Sequence, residues 1–109
     1  EISASDYLAS LRAQQEGFLD LSFATICGYA DHGAIVHYSA TEESDRQLKP
    51  ESLLLVDSGG HYLEGTTDIT RTFALGPVTD EMKDMFTRVC RSNMNLANAR
   101  FKEGCSALT

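Results

Sequence analysis

Asp57 and Asp68 stand eleven positions apart in a chain of 109 residues. Asp57 follows the apolar run Leu53-Leu54-Leu55-Val56, and Asp68 sits inside a strand-like stretch from Thr66 to Leu75. With a turn near Tyr62 to Gly65, this spacing predicts a hairpin whose two arms carry the aspartates opposite one another. Directly opposed side chains in an antiparallel pair have Cβ atoms about 4.5–5.5 Å apart, where two like charges repel. A divalent cation removes that repulsion. Carboxylates are hard oxygen ligands suited to Mn²⁺ or Mg²⁺, and one carboxylate can bridge two ions. The same residues admit a structural reading, in which Asp57 caps the turn begun by Ser58-Gly59 and Asp68 hydrogen-bonds neighbouring threonines. Two carboxylates alone do not fill a coordination sphere.

The elements that must position this pair follow from the pattern. Ser3 is placed to cap a first helix, with Ile2 and Tyr7 as a hydrophobic staple and Gly17 as its stop. Residues 19–30 and the short run Ala34-Ile35-Val36 read as strands separated by the turn Asp31-His32-Gly33. Residues 39–52, polar and ending near Pro50, read as a surface connection. Leu53 to Val56 reads as a buried strand. Gly76-Pro77 ends the second arm of the hairpin. Thr79 then caps a second helix running to Gly104, with Met82, Met85, Phe86, Val89, Leu96 and Phe101 as its core-facing stripe. The order helix, strands, helix predicts an α+β fold, a mostly antiparallel sheet with helices on one face.

Composition narrows the class of function. The net charge of −7, from nine Lys and Arg against sixteen Asp and Glu, disfavours a nucleic-acid partner. An acidic surface suits a cation better. Three cysteines without CxxC spacing predict neither a disulfide framework nor a zinc knuckle, and a reduced cytoplasmic setting fits them. No apolar run reaches the length of a membrane span, so no membrane partner is expected.

The string Asp57-Ser-Gly-Gly-His-Tyr-Leu-Glu-Gly-Thr-Thr-Asp-Ile-Thr-Arg-Thr72 closely resembles the metal-ligand hairpin of Xaa-Pro aminopeptidases, members of the pita-bread metallopeptidases of family M24. Gly33-Ala-Ile-Val-His-Tyr38, Phe18-Leu-Asp-Leu-Ser-Phe23 and the opening Glu1-Ile-Ser-Ala-Ser-Asp6 extend the likeness in the family's order. The sequence departs from the family pattern at Gly60-His61.

The resemblance implies that Asp57 binds mainly one metal ion, that Asp68 bridges two, and that His37 is the active-site histidine beside the scissile carbonyl, where it aids the developing oxyanion. It implies two divalent ions, Mn²⁺ foremost with Zn²⁺ or Co²⁺ as alternatives, and no other cofactor. The expected substrate is a peptide with proline at its second position. Residues 1–109 are expected to form the N-terminal half of the catalytic domain. One histidine and two glutamate ligands would then lie in a second half, so the fragment alone is expected to bind metal weakly and hydrolyse nothing. Its uncovered edge is expected to favour self-association, and the parent is expected to be a homo-oligomer. Histidines 32 and 61 are expected to be solvated loop residues and not ligands, with Thr70 and Arg71 supporting the site. The alternatives are a non-catalytic binding module of the same fold, an Xaa-Pro dipeptidase, or a creatinase-like hydrolase.

Overall fold

The computed structural model describes residues 1–106, in two compact units of which the first ends at Pro77 and the second begins at Val78. The first unit opens with helix α1, Ile2–Ala13. Ser3, the expected cap, lies inside the helix. The helix begins at Glu1 without a local side-chain cap, because Asp45 reaches in from the 39–52 connection and its Oδ1 accepts the Ile2 N–H at 3.0 Å. A carboxylate there also meets the positive end of the helix dipole.

Residues 19–30 form two strands instead of one. β1, Phe18–Leu21, and β2, Ile26–Tyr29, are separated by residues 22–25 and belong to different sheets. The expected strand at Ala34–Val36 does not form. Ala30, with φ 53°, turns the chain out of β2 into a short 3-10 helix, Ala30–Ala34, and Ile35 and Val36 continue into an exposed turn.

The predicted hairpin exists and is longer than its two aspartates suggest. Its first arm is β3, Leu53–Ser58, followed by β4, Gly60–Tyr62; its second is β5, Gly65–Thr66, followed by β6, Ile69–Ala74. The tip, β4 and β5, joins β1 in one antiparallel sheet of order β1-β4-β5. The base joins β2 in another of order β2-β3-β6. The α+β class therefore holds, with two three-stranded antiparallel sheets in place of a single one.

Gly59 is the hinge between the sheets. A Cβ there would overlap the carbonyl oxygen of Thr67 and the hydroxyl of Ser22, so the crossing admits only glycine. Ser22 and Thr67 bind the crossing together. The Ser22 N–H donates to the Gly59 carbonyl at 3.2 Å, its hydroxyl donates to the Thr67 carbonyl at 2.9 Å, and the Gly60 N–H donates to Thr67 Oγ1 at 3.0 Å.

The core is small: Cys27, Tyr29 and Leu54 are buried, with Ala4, Ala30, Leu48, Val56 and Leu75 packed against them. Burial raises the Cys27 thiol above its ordinary pKa. Beside this core lies the buried carboxylate of Glu1, only 2% exposed. It accepts hydrogen bonds from the Tyr29 N–H at 2.7 Å, the Arg46 N–H at 3.1 Å and the Tyr38 hydroxyl at 3.1 Å. Its Oε1 also lies 2.9 Å from His32 Nδ1. Burial by itself would push this carboxyl up, but the donors from Tyr29, His32, Tyr38 and Arg46 together hold it below the usual value of 4.5.

In the second unit, α2 runs Asp80–Ala97, and Thr79 Oγ1 caps it by accepting the Met82 N–H at 3.2 Å, as expected. It ends before Gly104, because the Asn98 side chain turns back to donate to the Met94 carbonyl at 2.8 Å. Met85, Phe86, Val89 and Leu96 are exposed and do not form the expected core, since the described residues of this unit include no second helix or strand to cover them.

Two outcomes follow from these contacts. Gly59→Ala is expected to destabilise the intact protein by about 1–3 kcal/mol in urea unfolding, the usual range for forcing atoms into a packed site. Because the Glu1 carboxyl is depressed on folding, its contribution is complete above its unfolded value and is lost as the pH falls through the lower folded value. Glu1→Gln should therefore flatten the acid limb of the stability profile below about pH 4.5.

Candidate metal centre

β3 is the middle strand of its sheet, so Asp57, next to its C-terminal end, is flanked on both sides. Ile26 of β2 faces it across one ladder and Thr70 of β6 across the other. The expected register, Asp57 opposite Asp68, is corrected here. Asp68 lies just before β6, two residues from the true partner Thr70, and is the diagonal neighbour of Asp57 on the same face. The offset relieves the direct opposition of like charges while leaving both carboxylates on one cleft.

That cleft, of about 350 Å³, is lined by Phe23, Ala24, Thr25, Ile26, His37, Tyr38, Ser39, Asp57 and Asp68. All three site residues named from the sequence thus meet in one place. The 22–25 break between β1 and β2 forms one wall. The turn after the 3-10 helix supplies His37, whose φ of 55° is left-handed and unusual for a residue with a Cβ. No hydrogen bond reaches its imidazole among the described residues, and its backbone alone aims it.

Asp57 Oδ1 is buried and has no hydrogen-bond partner, and neither has Thr25 Oγ1 on the same cleft. A buried carboxylate oxygen without a donor costs about 1–3 kcal/mol unless something positive completes it. The donor set fits a hard divalent cation in chemistry and in this unmet valence. It is also incomplete. No group of three or more His, Cys, Asp or Glu side chains converges among the described residues.

The supporting residues fall partly as expected. Thr70 is the direct cross-strand partner of Asp57. Arg71 opposes Val56, and its guanidinium donates to the Thr70 carbonyl at 2.7 Å. Arg12 of α1 donates to Ser58 Oγ at 2.9 Å and so ties the helix to the residue after Asp57. His61 is exposed and bonded to Thr66 Oγ1 at 2.8 Å. His32 departs from expectation: it is buried, its ring centroid lies 4.4 Å from that of Tyr38, and it faces Glu1. A histidine in a Gly-flanked turn gives no local sign of this, because the partners lie six or more positions away.

This is an α+β unit of antiparallel strands that gathers two aspartates and a histidine on one cleft, a donor set of the kind that metal-dependent hydrolases use. Residues 1–108 match metallopeptidase family M24, and the chain belongs to that family. It is 42% identical over its whole length to aminopeptidase P1 of Arabidopsis thaliana and 36% identical over 93% of its length to the Xaa-Pro aminopeptidase ApepP of Drosophila melanogaster. Among solved structures it resembles the X-prolyl aminopeptidase of Caenorhabditis elegans, described as a cytosolic enzyme with a di-nuclear active site. That likeness has a TM-score of 0.84, at 38% identity over 96% of the chain. A prolidase from Thermococcus sibiricus, at 24% identity and TM-score 0.72, shares the fold. The chain spans only 17% of the plant and nematode proteins and 16% of the insect one.

In metal-free protein, Asp57→Asn is expected to raise stability by about 1 kcal/mol, because it removes charge from an oxygen with no donor. Urea unfolding in the presence of chelator reads this directly, and a loss of stability would contradict it.

Proposed function

We propose that the intact protein is a dinuclear metal-dependent Xaa-Pro aminopeptidase acting in the cytosol, with residues 1–109 forming the N-terminal half of its catalytic domain. The observation that carries this reading is the convergence of His37, Asp57 and Asp68 on one cleft with Asp57 Oδ1 unpartnered. The family and the named relatives support it, and their greater length supports a second half that completes the ligand set.

Asp57 and Asp68 would hold two divalent ions, Mn²⁺ foremost, which when bound supply Lewis-acid polarisation and a nucleophilic water at neutral pH. His37 donates an imidazole N–H toward the scissile carbonyl and stabilises charge that develops there. Water adds across the amide, the C–N bond breaks, and the proline nitrogen leaves with a proton as the amine. Phe23, Ala24 and Ile26 form an apolar side of the cleft beside the reacting bond. Strand β6 is an edge strand with Ile69 and Phe73 exposed, which suits cover by the remainder of the domain or by a second copy.

The intact protein is expected to release the N-terminal residue of an Xaa-Pro-Xaa peptide only with added Mn²⁺. Residues 1–109 alone should be inactive, and His37→Ala should lower kcat by roughly 10²–10³. Inactivity of the metal-loaded intact protein would favour a binding module, and cleavage confined to dipeptides would favour a dipeptidase.

A further inference from the structure

The turn that presents His37 is held from one end to the other by a single buried carboxylate. Ile35, Val36 and His37 are exposed, Val36 at 82%, and the His37 imidazole has no hydrogen-bond partner among the described residues. Two buried aromatic side chains bracket this segment. His32 precedes it and Tyr38 follows it; their rings touch, and both bind Glu1, His32 through Nδ1 at 2.9 Å and Tyr38 through its hydroxyl at 3.1 Å. Between them the backbone closes two successive turns. The Ile35 N–H donates to the His32 carbonyl at 3.1 Å and the Tyr38 N–H donates to the Ile35 carbonyl at 3.2 Å. His37 occupies the left-handed position of the second turn. A residue with a Cβ stays in that region only where its surroundings over-determine it.

We propose that the Glu1–His32–Tyr38 cluster is a positioning device for His37, which fixes the strained turn and thereby aims the imidazole into the cleft that Asp57 and Asp68 line. The proposal rests on the reading of His37 as the group beside the scissile carbonyl. Glu1 and His32 are buried, and Tyr38 lines the cleft while its hydroxyl, the group the Phe variant removes, is engaged with Glu1. Their effect on the reaction passes through His37.

The test uses the intact, Mn²⁺-loaded protein and an Xaa-Pro-Xaa peptide. Tyr38→Phe keeps the ring against His32 and removes only the hydroxyl; His32→Gln keeps a donor for Glu1 and removes the ring contact, and serves if the first variant does not fold. Each should lower kcat by about tenfold or more with KM and bound Mn²⁺ unchanged, since small misplacement of a catalytic group has effects of this size. In a His37→Ala background neither should lower kcat further; a full additional loss there would overturn the proposal. Nitrogen-15 spectra of the His37 imidazole in metal-free intact protein give a readout independent of turnover. Shifted or broadened His37 signals in the variants support the device, and unchanged signals in both overturn it. Failure of the wild-type protein to hydrolyse the peptide, with His37 signals still shifted, would sink the peptidase reading and leave the positioning role standing.

Discussion

The carboxylate of Glu1 gathers four stretches of chain that are distant in sequence: the end of β2 at Tyr29, the 3-10 helix at His32, the turn at Tyr38 and the connection at Arg46. Burying a carboxylate is costly, and the cost is offset here because both oxygens receive donors. The same residue starts α1, and its own nitrogen donates to the Arg46 carbonyl at 2.9 Å. Helix, sheet and connection are therefore locked by one group in a unit whose apolar core is small. A core of three buried side chains would leave the polar walls of the cleft poorly defined without it.

The hairpin is the second constraint, and it works through its hinge. A hairpin in one flat sheet would point its tip and base along one surface. Passing at Gly59 from the β1 sheet to the β2 sheet opens the 22–25 break opposite the end of β3, and the cleft forms there. Asp68 falls in the matching interruption between β5 and β6. Asp57, by contrast, is paired on both sides.

The residues that line the cleft were legible mainly through the resemblance to a known family, because the spacing of two aspartates by itself left a structural reading open. Asp57, Asp68 and His37 could be named before any geometry was known, and Thr79 announced its helix through a local rule. What failed were inferences that local rules cannot reach. Ser3 looked like a cap, but the donor at the helix start is satisfied by Asp45, more than forty positions away. Ala34-Ile35-Val36 looked like a strand, but Ala30 had already left the sheet in a left-handed conformation. The apolar stripe of α2 looked like core, but hydrophobic periodicity specifies only a face, not whether its own unit covers that face.

The sequence by itself determined the hairpin, the α+β class and the family, because each rests on residue identities at short fixed spacings. The tertiary structure alone decided the two-residue offset between Asp57 and Asp68, the unmet valence on Asp57 and the burial of His32 against Glu1. The physical reason is that ladder register, desolvation and long-range hydrogen bonds depend on which segments meet. Those meetings are set by packing across the whole unit and leave no trace in any short window of sequence.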